Sequence, residues 1–425
     1  MMIRERISRR EFMKCAVTAA AAVSVVPRAV LGGRGYLAPS DQLTSAVIGV
    51  GGMGKAHLRY EGAHLLAVCD VDDKHLKIAL DIAGPGVEGY RDFREVLERP
   101  DIDIVHIPTP PHWHALISIA AANAGKDIWC EKPMTRTIGE GQKVVEAVRR
   151  NGRIFRINTW FRFRSVFYGF GTPVKPIKKL VESGWLGWPL TATVSGITGF
   201  DWKFYWSGRT FLRPQPVPEE LDYEMWLGPA PYKPYHPHRV HNTFRGYWDY
   251  DGGGLGDMGM HYLDPVQYLL EKDRTSPVRI EAECPQQHPD ACGSWRRIEM
   301  TYADGCKIIL DGENRDTQAP FLKGPQGYVS RGMESNIPDL EKRLASLPDP
   351  EPQMTDFHQA VRTRTKFVLH EENAHRSCTL VNLAKIAVRL GRPLRFDPDR
   401  QIFIGDPEAN RLIHQPMRAP WHLGV

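Results

Sequence analysis

Residues 43–58 constrain the fold more than any other stretch. Leu43–Val50 is an apolar run that reads as a strand. Gly49-Val50-Gly51-Gly52-Met53-Gly54 closes it, and Lys55-Ala56-His57-Leu58 opens a helix. A Gly-x-Gly-x-x-Gly turn alone says little. Between a strand and a helix it lets backbone amides approach an anion closely. Gly49, Gly51, Gly52, Met53 and Gly54 are therefore candidate pyrophosphate contacts. A second strand, His64–Asp70, ends in an acid 16 residues beyond Gly54. A carboxylate there accepts from a ribose 2′-OH and repels a 2′-phosphate, so Asp70 points to NAD over NADP.

Alternation continues from there. Residues 92–97 read as helix and 102–107 as a strand, followed by Thr109-Pro110-Pro111-His112-Trp113-His114. A helix runs to Asn123, and a strand over 126–130 leads into Glu131-Lys132-Pro133. Residues 139–150 are a helix and 153–158 a strand. This order predicts a parallel sheet covered on both faces, with ligands outside the C-terminal strand edge. Thr109, Pro110, His114, Glu131, Lys132 and Asn158 fall at that edge and join the cofactor candidates. Beyond 160, a helix over 173–183 precedes strand-like runs at 187–195, 278–284, 295–303, 306–312 and 326–331. Few helices separate them, so a second, antiparallel sheet is expected. Helices near 355–363 and 374–390 should pack back on the first domain. The predicted division is a leader over 1–29, a Rossmann domain over 40–160 and an α+β substrate domain over 161–425.

Gly252-Gly253-Gly254-Leu255-Gly256-Asp257 reads as a flexible approach to a helix carrying Asp257 and His261 on one face. Such a pair suits acid–base chemistry at a pocket wall, although an N-cap aspartate beside an unrelated histidine fits the spacing too. Segment 199–251 is rich in Trp, Tyr, Pro and His and too long for a plain connector. It reads as a binding loop or an oligomer arm. Trp160, Arg162, Arg245 and Trp248 are the further candidates for substrate contact.

The glycine turn, Thr109-Pro110…His114, Glu131-Lys132-Pro133 and Gly256-Asp257-x-x-x-His261 occur in this order over nearly the whole chain. Together they resemble the Gfo/Idh/MocA family of nicotinamide-dependent oxidoreductases. The resemblance implies a Rossmann domain, a C-terminal domain with an open, mostly antiparallel sheet, and a site formed by Lys132, Asp257 and His261. It implies hydride transfer at a CH–OH group of a carbohydrate. His261 would exchange the hydroxyl proton with a pKa near the ordinary 6.5, Lys132 would polarise the C–O bond, and Asp257 would orient His261 or hold a hydroxyl. Asn158-Thr159-Trp160 departs from the Gln-rich run of many relatives.

Ser8-Arg9-Arg10-Glu11-Phe12-Met13-Lys14 and the short apolar run after it read as a twin-arginine export signal. The run is too short for a membrane span of roughly 20 residues. Residues 1–29 hold six basic and two acidic residues, +4 of the chain's +5. The remainder is nearly neutral, so the charge gives no reason to expect nucleic acid or stable membrane insertion. Export predicts a periplasmic enzyme, delivered by the twin-arginine translocase with its nicotinamide tightly held. A pair of redox half-reactions, glycoside cleavage through transient oxidation, and an inactive sugar-binding protein remain open. The open sheet predicts a homodimer or homotetramer. Cys284 and Cys292 are spaced for a disulfide in an oxidising compartment, whereas Cys69 and Cys130 read as buried thiols. His112 and His114 have no third ligand at suitable spacing nearby; His236, His238 and His241 could suggest a metal, but no metal is expected.

Overall fold

The computed structural model describes residues 42–159, 162 and 173–424. The export-like segment and Trp160 lie outside them. Strands β1 (Thr44–Ile48), β2 (His64–Cys69), β3 (Glu88–Tyr90), β4 (Ile104–Ile107), β5 (Asp127–Cys130) and β6 (Phe155–Ile157) form one parallel sheet in the order 3-2-1-4-5-6. β4 and β5 are buried at every residue, as strands covered on both faces must be. Helices α1 (Gly54–His57), α2 (Asp73–Ala83), α3 (Phe93–Glu98), α4 (Pro111–Asn123) and α5 (Ile138–Arg150) make the crossovers. Side chains of Asp72, Asp92 and Thr137 cap α2, α3 and α5 by accepting from first-turn amides. α1 is a single turn, and 3-10 contacts from Arg59 and Tyr60 end it.

The second sheet has eight strands. After α6 (Val174–Glu182) come β7 (Thr191–Ser195), α7 (Tyr223–Leu227), α8 (Gly253–Leu269), β8 (Arg279–Glu283), β9 (Arg297–Thr301), β10 (Lys307–Asp311), β11 (Leu322–Lys323) and β12 (Tyr328–Val329). Then follow α9 (Leu340–Ala345), α10 (Phe357–Thr363), α11 (Glu371–Leu390), β13 (Leu394–Asp397), β14 (Ile402–Phe403) and α12 (Pro407–Arg411). The order is 12-11-7-10-9-8-13-14, antiparallel except for the pair β7–β10. α8 and α11 pack on each other, and α11 also meets α5 and β6 of the first sheet. That contact carries α8 up to the first sheet.

Two expectations are corrected. Gly253, Gly254 and Gly256 are not a flexible approach, because α8 already begins at Gly253. A Cβ on Gly254 would lie 1.8 Å from the Trp202 carbonyl oxygen, and one on Gly256 would lie 2.2 Å from Asp251 Oδ1. These glycines answer close packing, not mobility. Cys284 and Cys292 are both free. Cys284 Sγ faces the Val388 carbonyl at 3.3 Å, while Cys292 is buried beside Gly253, so the two thiols serve different contacts.

Segment 199–251 is part core and part cover. Tyr223, Trp226, Leu227, Tyr235, Tyr247 and Tyr250 form a buried aromatic cluster. Its other edge joins the end of β2. The Asp73 amide donates to the Glu220 carbonyl at 3.0 Å, and the Asp222 amide donates to that of Val71 at 3.0 Å.

Candidate active site

One cavity of about 810 Å³ runs from the glycine turn to α8. At one end Gly49, Gly51, Gly52 and Met53 line it. Gly49 has φ +96°, and a Cβ there would strike Thr109 at 2.8 Å, so glycine is required. Among the described residues, the amides of Gly51, Gly52 and Met53 have no backbone acceptor. The buried Thr109 hydroxyl likewise has no partner. Unspent donors in a turn that excludes side chains fit a dinucleotide's phosphates. Gly54 does not line the cavity. It sits under the turn, where a Cβ would meet the Gly49 carbonyl oxygen at 2.0 Å.

Asp70 lines the next stretch. Its Oδ2 accepts from the Val50 amide at 2.8 Å, and its Oδ1 accepts from the Asp72 amide at 3.0 Å. His75 Nδ1 stands 3.7 Å from Asp70 Oδ1, and that carboxylate raises the imidazole's pKa. Across the seam, His241 Nε2 lies 3.3 Å from Asp72 Oδ2 and its ring meets His75 edge-on. Asp72, His75 and His241 bring ligand-type atoms within 4.8 Å of one another, but Asp72 Oδ1 is already spent on the cap of α2.

At the other end β5 and α8 converge. Lys132 Nζ donates to the Asp257 carbonyl at 2.6 Å and to Asp257 Oδ1 at 2.9 Å. Arg245 Nε donates to the same Oδ1 at 2.8 Å, and Lys203 Nζ approaches Oδ2 at 3.5 Å. Burial alone would raise the Asp257 pKa. Lys132 and Arg245 outweigh it and hold the carboxyl well below the ordinary range. Asp257 therefore fixes cations, not His261 as the sequence reading allowed. The His261 ring opens on the cavity, and its pKa is not ordinary. Burial first, and Lys132 second, push it down to about 3, so the ring is neutral.

Behind Lys132, Glu131 Oε1 lies 2.9 Å from His57 Nε2 and 2.5 Å from Asn158 Nδ2. Glu131 Oε2 accepts the Lys132 amide at 3.2 Å. Burial would raise Glu131, but the His57 contact and the neighbouring charges bring it down to about 2. Asn158 thus supports Glu131 and does not reach the cavity. His114 is also buried away from it, with its nitrogens 2.7 Å from the carbonyls of Pro133 and Thr109. Its ring sits between two cavity loops, and its single N–H donates to one of these carbonyls. Pro110 and Glu131 do line the wall.

Two substrate candidates are corrected. Arg162 is buried in ion pairs with Asp264 and Asp273, each at 2.6 Å, because an interior guanidinium needs carboxylate partners. Trp248 is buried with its Nε1 donating to the His288 carbonyl at 3.1 Å. Neither reaches the cavity, whereas Arg245 does. The sequence reading missed Lys203 and Asp251 as site residues. Asp251 is 1% exposed and lines the cavity, its Oδ1 has no partner, and burial followed by Asp257 pushes its pKa up to about 7.

Residues 43–159 match the family model described as the oxidoreductase family, NAD-binding Rossmann fold, and residues 170–423 match that of the oxidoreductase family, C-terminal alpha/beta domain. Inositol 2-dehydrogenase of Salmonella typhimurium is 30% identical over 154 residues, 35% of this chain and 44% of that protein. The match therefore spans under half of the inositol enzyme's length. Levoglucosan dehydrogenase of Pseudarthrobacter phenanthrenivorans is 34% identical over 302 residues, 68% of this chain and 67% of that enzyme. Among solved structures, the WlbA dehydrogenase from Bordetella pertussis in complex with NADH and UDP-GlcNAcA superimposes with a TM-score of 0.58 at 15% identity. It covers 84% of this chain and 99% of its own, a likeness of fold.

Proposed function

The chain belongs to the Gfo/Idh/MocA family of oxidoreductases, and from that premise we propose that it transfers hydride between a nicotinamide cofactor and a CH–OH group of a sugar or sugar derivative. One observation carries this reading. Lys132, Asp257 and His261 meet on the wall of the same cavity whose far end holds the unspent amides of Gly51, Gly52 and Met53. The cofactor, when bound, supplies the hydride acceptor or donor.

The side chains do the rest. An ammonium has three donors, and Lys132 gives two to Asp257, which leaves one for the substrate oxygen. Fixed by its pair, that donor stabilises a developing alkoxide without reorganising. His261 is neutral across physiological pH and stands on the same stretch of wall, where it would exchange the hydroxyl proton with the substrate. The Asp70 carboxylate favours NAD over NADP by repelling a 2′-phosphate. Segment 199–251 joins the end of β2 beside that ribose position, which supports a tightly held nucleotide. Retention agrees with twin-arginine export to the periplasm and with a recycling enzyme, assembled as a dimer or tetramer. A net redox reaction is preferred to glycoside cleavage because levoglucosan dehydrogenase, matched over 67% of its length, is named a dehydrogenase.

The test is absorbance of the bound nucleotide at 340 nm as sugars and polyols are added. Substitution Lys132→Met should lower turnover by roughly 10²–10³-fold while nucleotide stays bound. Full turnover in that variant would remove Lys132 from the chemistry.

A further inference from the structure

We propose that the substrate of this site carries a carboxylate, making it a sugar acid of the uronate or aldonate class. This narrows the oxidoreductase reading above and rests on it. Three cations, Lys132, Arg245 and Lys203, converge on the single carboxylate of Asp257. Asp257 Oδ1 is fully taken by Lys132 and Arg245. Lys203 Nζ has only the long 3.5 Å approach to Oδ2. Arg245 gives Nε to Asp257 and Nη1 to the Asn242 carbonyl at 3.2 Å, and its Nη2 has no acceptor among the described residues. An ammonium and one arm of a guanidinium thus line the cavity with donors to spare.

Both are held in place. Lys203 has φ +47°, a left-handed conformation that a residue with a β-carbon adopts only where its surroundings hold it. Its amide donates to Asp201 Oδ1 at 2.8 Å, and its carbonyl rests on the first turn of α8, where Gly254 leaves no Cβ in the way. The Arg245 guanidinium lies 5.1 Å from the Trp206 ring and 4.9 Å from that of Phe244. Other nearby charges do not balance the surplus. Glu131 lines the wall too, but its oxygens are committed to His57, Asn158 and the Lys132 amide. Asp251 is buried beside Lys385, with its proton partly retained at neutral pH. The phosphate end has its own donors in the turn amides and Lys55. A neutral sugar would leave Lys132, Lys203 and Arg245 sharing the single charge of Asp257 in a partly desolvated wall. A carboxylate accepts from both, and charge-assisted bonds are about twice as strong as neutral ones.

The experiment is calorimetric titration of the NAD-loaded protein with glucuronate and galacturonate against glucose and galactose, at low salt. The acids should bind roughly tenfold or more tightly than the matched sugars. Lys203→Met and Arg245→Met should each shrink that gap to about threefold or less. Acids that bind no tighter overturn the inference, as does a gap that survives both substitutions. Loss of nucleotide from the variants with the gap intact assigns these cations to the cofactor phosphates and also overturns it. The functional reading fails separately, when the protein neither holds nor binds nicotinamide nucleotide.

Discussion

Asp251 does not behave as an ordinary carboxylate. It is buried against the first turn of α8, its Oδ1 occupies the space that Gly256 leaves, and its pKa is pushed up from 3.8 to about 7. The groups acting on it are Asp257, which raises it further, and Lys385, Arg245 and Lys132, which oppose the rise. The folded chain thus keeps a proton that the unfolded chain releases near pH 4. The stability this brings is fully present below that pH and is lost as pH rises to about 7. Asp251→Asn stays neutral throughout. Thermal unfolding should show the variant more stable than the parent by about 1–3 kcal/mol at pH 8, with the difference vanishing near pH 4. Equal stability at both pH values would mean that Asp251 is ionised and paired. Nothing in the sequence marks this aspartate, because its orphaned oxygen arises from packing between residues distant in the chain. Asp257 and His261 were legible because a four-residue spacing puts both on one helix face. What that spacing could not convey was their electrostatics, which Lys132 and Arg245 set for Asp257 and burial with Lys132 sets for His261.

At the scale of elements, α8 and the first glycine turn use glycine for different ends. In α8 a Cβ on Gly254 would be driven into the Trp202 carbonyl, a backbone atom that cannot rotate away. Gly254→Ala should destabilise the fold by about 2–3 kcal/mol or more, through overpacking, and displace Lys203 with it. At Gly52 the nearest atom to a new Cβ is Asn242 Oδ1 at 3.7 Å, an ordinary contact. Gly52→Ala should leave the melting temperature nearly unchanged and weaken nucleotide binding, read by denaturation and by titration with NAD. A large stability loss at Gly52 together with tolerance at Gly254 would reverse these roles. The strand–turn–helix order around Gly49–Gly54 was readable because each part is local. The run at Gly252–Gly256 was misread because flexibility and close packing both select glycine, and only the partner strand of chain at Trp202–Lys203 tells them apart.

For the whole molecule, the parallel sheet and the second sheet followed from alternation and from runs without intervening helices. The single parallel pair β7–β10 did not, since it joins strands far apart in sequence. Segment 199–251 was conspicuous for its aromatics, yet composition could not divide them. Tyr247 and Tyr250 went to the core, Trp206 and Arg245 to the cavity, and Glu220 and Leu221 to the seam with β2. That seam ties a cover from the substrate domain to the cofactor edge, and it makes nucleotide retention the central claim. The most direct test is the nucleotide released on denaturing protein that has been purified without added cofactor and separated by chromatography. The expected result is about one NAD(H) per chain. Protein that emerges empty and fails to bind added NAD would contradict both the retention and the oxidoreductase assignment.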